Sequence, residues 1–194
     1  AMSYLIIDIG SSSVRTLLFH DDATPIDGAM CSRSHDFHTN QDGRATASAP
    51  TLRQHVEDCI DEILGHQHAR SIRGVGMATF VGNWLGLDAT GAPITDLMTY
   101  ADTRSHNEIT QLRDKLNGQT DAYHQAVGCM LHTAYLPAQF SYFLKTQPET
   151  AQQVRHVTDI GGYLYRQWFG HDIPMSYTVA GWTGLLHTAE HQWH

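Results

Sequence analysis

Within eight residues near the start of the sequence stand an acid, a glycine, three serines and an arginine: Asp8-Ile9-Gly10-Ser11-Ser12-Ser13-Val14-Arg15. Backbone N–H groups and three hydroxyls in one turn are donors for phosphate oxygens. A carboxylate beside them is a ligand type for Mg²⁺. Together they make the chemistry of a nucleotide phosphate site. A strand–Gly–Ser–strand hairpin that binds nothing shares the same outline, so the acid before the turn and Arg15 after it are what favour phosphate.

These residues need strands to hold them. Tyr4-Leu5-Ile6-Ile7 is an unbroken apolar run that suits a strand buried on both faces, and Val14 to Phe19 is a second. Gly10 sits where the backbone must bend or approach something closely. Ile26 to Phe37 reads as a third strand, completing an antiparallel meander, and Thr39 to Ala49 reads as a loop. A helix follows, with Leu52, Val56, Cys59, Ile60, Ile63 and Leu64 at three- and four-residue spacing, a Thr51/Gln54 capping box at its start and Gly65 at its end. Ile72 to Ala78 reads as a strand paired with Asn83 to Leu87, and Leu97 to Tyr100 as a short strand leading into Asp102-Thr103-Arg104. Beyond it the period becomes helical, around Ile109–Leu116, Leu136–Lys145 and Ile160–Trp168. Strands first, an embedded helix, then mostly helices predict an α/β fold with a mixed sheet flanked by helices.

Composition narrows the partners. The chain of 194 residues is long enough for one domain with an ordinary core. A net charge of -8 with no basic patch argues against nucleic acid, and no apolar run is long enough to span a membrane. Cys31, Cys59 and Cys129 are widely spaced and read as reduced thiols of a cytoplasmic protein. Ala1-Met2 reads as a remnant and start residue ahead of the domain. Two other patterns carry little. Gly74-Val75-Gly76 lacks the third glycine of a dinucleotide fingerprint, since Thr79 stands there, and no Walker A pattern occurs. His187, His191 and His194 fall at helical spacing but lack an anchoring carboxylate, and fourteen histidines make such a triplet expected by chance.

The Asp8–Arg15 segment resembles the first phosphate motif of the actin, hexokinase and Hsp70 class of ATPases, written Asp-x-Gly-Thr/Ser-Thr/Ser-Ser-x-Arg in its sugar kinases. Further segments resemble the FGGY carbohydrate kinases in order. Gly74 to Asp88 is similar to that family's strand–loop–strand. Gly91-Ala-Pro-Ile followed by Tyr100-Ala-Asp102-Thr-Arg104 is similar to Gly-x-Pro-Leu and Trp-x-Asp-x-Arg, with tyrosine for tryptophan. Pro148-Glu149, Asp159 to Leu164 and Ser176 to Leu186 continue the likeness, which spans Ser3 to His194.

The resemblance implies a ribonuclease-H-like domain of an ATP-dependent kinase acting on a sugar, sugar acid or polyol. It implies Asp8 at Mg²⁺, and Gly10, Ser11, Ser12, Ser13 and Arg15 at the phosphates of ATP. Asp102 and Arg104 would lie near the sugar or tie a strand end to the next helix, and Tyr135 would contact sugar or simply pack. Glycerol kinases place Arg-Glu, and xylulose kinases Met-His, where this chain has Val81-Gly82. Neither substrate therefore transfers, and Val81, Gly82, Asn83 and Trp84 are expected to shape a different pocket. In the family the catalytic base and the adenosine pocket follow the segment matched here. Residues 3–194 are thus expected to be an amino-terminal domain, inactive alone, with a homodimer left open for the full-length protein. The alternative is a non-catalytic actin-like protein whose nucleotide state controls assembly.

Overall fold

The hairpin around Gly10 forms, and it anchors one of two compact units. The structure, a computed structural model, describes residues 2–194; Ala1, read as a remnant ahead of the start residue Met2, lies outside them. In chain order the strands are β1 (Ser3–Ile9), β2 (Ser13–His20), β3 (Pro25–Ser34), β4 (His38–Thr39) and β5 (Ala45–Ala47), then α1 (Ala49–Leu64) and a 3₁₀ turn (Gln67–Ser71). There follow β6 (Ile72–Thr79), β7 (Asn83–Leu87), β8 (Leu97–Thr99), α2 (His106–Lys115), α3 (Thr120–Val127), α4 (Leu136–Thr146) and α5 (Pro148–Gln153). The chain continues with β9 (His156–Thr158), α6 (Ile160–Phe169), α7 (Tyr177–Gly181), β10 (Leu186–His187) and β11 (Gln192–Trp193).

The first unit takes the chain up to Phe37 together with Ser48–Phe80. Its sheet has the order β3-β2-β1-β6, antiparallel except for the parallel β1–β6 pair. The expected meander is therefore present, and the sheet is mixed. β1 alternates rather than being buried on both faces. Leu5, Ile7 and Ile9 are fully buried on one side, while Tyr4 is exposed on the other. The buried side meets α1 through Leu52, Val56, Cys59 and Ile63, with Leu52, Val56 and Ile63 each contributing about 1.5–3 kcal/mol. Thr16 on β2 ties that face down, donating its hydroxyl to the Cys59 carbonyl at 3.0 Å.

The start of α1 differs from the expected capping box. Ser48 is the cap, and its hydroxyl accepts from the Thr51 N–H at 3.3 Å, with Pro50 inside the first turn. Gln54 turns instead to Asp58 at 2.8 Å. Proline tolerates the first turn because the N–H it lacks would have no partner there, so the helix begins at Ala49, two residues before Thr51.

The second unit comprises His38–Ala47 and Val81–His194. Its main sheet has the order β4-β5-β8-β7-β9. β7 therefore pairs with β8 and β9, not with β6 as the sequence spacing suggested. Residues 39–49, read as a loop, contain β5, whose Ala45, Thr46 and Ala47 are all buried. Small side chains fit that cramped interior strand, and its partner β8 lies some fifty residues on. Trp84, Met98 and Phe143 form the core, with Leu136, Phe140, Ala151 and Val154 packed on it. A buried relay fixes α4 to the sheet: the Trp84 indole N–H donates to Gln139 Oε1 at 2.9 Å, and Gln139 Nε2 donates to the Thr99 carbonyl at 2.8 Å.

Candidate functional site

The Gly10–Ser13 turn is built by register. Asp8 on β1 stands directly across from Arg15 on β2. Arg15 Nη2 lies 2.5 Å from Asp8 Oδ2, with the two side chains 49% and 34% exposed. A cross-strand pair this exposed is worth at most about 1 kcal/mol, so both groups can be drawn to a charged ligand at little cost. Gly10 N–H donates to the Ser13 carbonyl at 2.9 Å. A Cβ on Gly10 would sit 3.3 Å from that oxygen, so glycine serves a close approach here rather than a left-handed backbone. Among the described residues, the hydroxyls of Ser11, Ser12 and Ser13 make no hydrogen bond.

This donor set fits a phosphate chain. A single carboxylate is enough for Mg²⁺ that keeps several waters and takes phosphate oxygens. No cluster of three metal-ligating side chains occurs among the described residues, so a metal at Asp8 would depend on oxygens of the nucleotide. Of the terminal histidines, His187 faces Glu190, the His191 ring lies tilted against Tyr177, and His194 stacks on Tyr123 and meets the His187 ring edge-on at 6.2 Å.

One residue of this turn was not legible in the sequence. His35 donates from Nε2 to the Gly10 carbonyl at 2.9 Å, and from its backbone N–H to the Ser12 carbonyl at 2.9 Å. Its contact spans 25 residues, and no local pattern marks it.

In the second unit, the residues expected near a sugar separate into two groups. Gly82 and Asn83 line a cavity of about 30 Å³ with Trp84, Gln139, Trp182 and Thr183. That is room for little more than one water. Tyr135 adjoins it, its ring 6.1 Å from Trp182. Burial first, and then the Cys129 thiol, push the Tyr135 phenol above its ordinary pKa, so it remains a neutral hydroxyl. Asn83 already spends its Oδ1 on the Ile160 N–H at 2.8 Å, at the start of α6. Val81 is half-buried beside this group.

A side chain at Gly82 would not enter empty space. The φ of Gly82 is +67°, and a Cβ there would lie 2.9 Å from the Cβ of Tyr100. Tyr100, 40% exposed, fills the place that a longer side chain at 82 would need. The only sequence signal for Tyr100 was its place opposite the tryptophan of the Trp-x-Asp-x-Arg motif.

Asp102 and Arg104 form the other group. Asp102 is 1% exposed and accepts the Ala45 N–H at 2.9 Å, the Arg104 N–H at 3.1 Å, and Arg104 Nε and Nη2 at 3.1 and 2.7 Å. Those four N–H groups match the lone-pair capacity of a carboxylate. Arg104 also lies over the Tyr142 ring at 5.4 Å. Burial would lower its pKa, but the hydrogen bonds and charge of Asp102 more than offset this and leave it raised. It lines a separate cavity of about 210 Å³ with Arg44, Thr46, Trp84 and Asp96.

Comparison with known proteins follows the same lines. The sequence matches the FGGY family of carbohydrate kinases, N-terminal domain, over residues 3–194. It is 21% identical over 192 residues to a gluconokinase of Bacillus subtilis (strain 168), covering 98% of this chain and 36% of that protein. The fold is that of a xylulose kinase from Rhodospirillum rubrum, with a TM-score of 0.90 at 16% identity, over 99% of this chain and 39% of the other. A gluconate kinase from Lactobacillus acidophilus gives a TM-score of 0.85 at 17% identity, over 99% and 38%. The chain thus spans little more than a third of the length of these relatives and has the α/β, actin- and hexokinase-like fold that the phosphate motif implied. With a Gly-Ser turn at the head of a mixed sheet and a family match from its third residue to its last, the chain belongs to the FGGY family of carbohydrate kinases, as its N-terminal domain.

Proposed function

We propose that the full-length protein containing this domain transfers a phosphoryl group from ATP to a hydroxyl of a small sugar, sugar acid or polyol. The observation that carries this reading is the Gly10–Ser13 turn, whose hydroxyls have no partner among the described residues and which lies beside an exposed, weakly paired carboxylate. Bound MgATP would supply the transferable phosphoryl group and the metal's charge. Asp8 would orient the metal, Ser11, Ser12 and Ser13 would hold phosphate oxygens, and Gly10 would serve the ATP site by letting the turn's backbone come close to them. Arg15, released from Asp8, would offset charge developing on the transferred group.

On the sugar side we place Tyr100 and Tyr135, with Val81, Gly82 and Asn83 shaping the wall. Asp102 and Arg104 serve as a tie, since the hydrogen-bonding capacity of Asp102 is already filled. The gluconokinase and xylulose kinase relatives favour an aldonate or a ketose over glycerol. Residues 3–194 act as one functional domain in this reading, with the catalytic base supplied from elsewhere in the full-length protein, which works in the cytoplasm.

A coupled assay of the full-length protein against a panel of aldonates, ketoses and polyols tests the activity, and light scattering on the same preparation reads monomer or homodimer. Within that assay Asp8→Asn is expected to lower kcat at least about 100-fold while sugar KM moves less than about threefold, because the interaction matters mainly in the transition state. Near-normal turnover of Asp8→Asn at saturating ATP would sink the assignment.

A further inference from the structure

A two-residue hairpin loop is ordinarily closed by reciprocal backbone bonds between its flanking residues. Gly10 and Ser13 close the β1–β2 hairpin, and only half of that pair is made. Gly10 N–H donates to the Ser13 carbonyl at 2.9 Å, while among the described residues the return bond, from the Ser13 N–H to the Gly10 carbonyl, is missing. The Gly10 carbonyl turns instead to His35 Nε2, 2.9 Å away. A carbonyl only accepts, so Nε2 carries the proton. β3 does not take the Ser13 N–H either. Ser13 pairs with Ser34, and the neighbouring bond from His35 N–H to the Ser12 carbonyl makes that a non-hydrogen-bonded pair.

Peptide geometry turns this into a device. In a trans peptide the C=O and the following N–H point in opposite directions, and no cis peptide occurs among the described residues. With the Gly10 and Ser12 carbonyls both held on His35, the N–H groups of Ser11 and Ser13 are aimed away from it. The ring has no other polar tie among the described residues. Its Nδ1 is buried without a partner, and Phe37 lies beside it at 6.3 Å.

We propose that His35 is a positioning residue for phosphate binding: by holding the Gly10 carbonyl, it keeps the Ser13 N–H free for a phosphate oxygen. This rests on the phosphate-turn reading above. The test uses the full-length protein with His35→Phe, which keeps a ring but no donor, and His35→Gln, whose amide reaches to about the Nε2 position. Two quantities are read: amide hydrogen exchange at Ser13 without nucleotide, by mass spectrometry, and the Kd for MgATP, by calorimetry.

In His35→Phe the Gly10 carbonyl returns to the Ser13 N–H. Exchange at Ser13 is then expected to slow about tenfold and the MgATP Kd to rise about tenfold, the size of one lost hydrogen bond to a charged group. His35→Gln is expected to stay within about threefold of the parent in both. Unchanged Ser13 exchange and unchanged Kd in His35→Phe would overturn the proposal, as would a Gln variant indistinguishable from the Phe variant. If His35→Phe does not fold, His35→Asn, too short to reach Gly10, replaces it with the same expectations. A parent protein that binds MgATP no better than adenosine refutes the phosphate-turn reading itself, and Ser13 exchange then still decides whether His35 holds the hairpin open.

Discussion

Replacing Asp102 with alanine removes the acceptor of a guanidinium whose side chain is only 15% exposed, and of two backbone N–H groups, from Ala45 and Arg104. Breaking a buried ion pair from one side costs about 3–5 kcal/mol, because the remaining charge stays unpaired. Each backbone donor left dry adds about 1–3 kcal/mol. Arg104 can regain water by swinging outward from Tyr142, which returns part of this, so we expect a net loss of about 4 kcal/mol. Against a typical total of about 5–15 kcal/mol that is a large share. At about 2–4 °C per kcal/mol for a chain of this size, the melting temperature of the second unit should fall by about 8–16 °C. Calorimetry gives that number, and the fluorescence of Trp84, buried in the same unit, assigns the transition to it. The double variant Asp102→Ala/Arg104→Met should recover part of the loss, since it removes the stranded charge and leaves an apolar side chain against Tyr142 and Met98. A drop below about 1 °C in the single variant, or a double variant less stable than the single, would refute the assignment of this pair as a structural tie.

Gly82→Ala should destabilise the chain by roughly 2–4 kcal/mol, from a left-handed φ of +67° and a Cβ 2.9 Å from Tyr100. Gly118→Ala, at φ +84° with nothing within 4 Å, should cost only about 1–2 kcal/mol; equal urea midpoint shifts for the two would show that the Tyr100 contact is not limiting. Burial first, and then the hydrogen bond with Cys59, push the Cys31 thiol from 9.0 up to about 12. The fold favours the neutral thiol, so this contribution is intact below about pH 9 and is lost as pH rises towards 12. The melting temperature of the parent should therefore fall faster between those limits than that of Cys31→Ala, and parallel curves would contradict this. The 194-residue chain, spanning 36% of its gluconokinase relative, should show no sugar-dependent ATP consumption in the coupled assay; robust turnover would place the catalytic base inside residues 3–194.

What the sequence determined by itself is what depends on neighbours along the chain. Asp8 to Arg15 can be read directly, because a strand ending in an acid, then a Gly-Ser turn, then a strand is one continuous stretch whose register follows from the turn. The apolar period of α1 and the order of the family's motifs are local in the same sense, and they carry the fold class and the family. Tertiary structure decided whatever pairs distant residues. β7 follows β6 closely in sequence, yet joined β8 and β9 because sheet pairing is set by which edges are free and which faces must be buried, and neither is written in a short window. The role of Asp102 was open for the same reason, and Tyr100 carried none in the sequence. The carboxylate is saturated by Ala45, 57 residues away, and the gap at Gly82 is closed by Tyr100. His35 shows the limit most plainly. A single imidazole, reached across 25 residues, sets which way the turn's carbonyls point, and a carbonyl's direction is a property of the folded backbone alone.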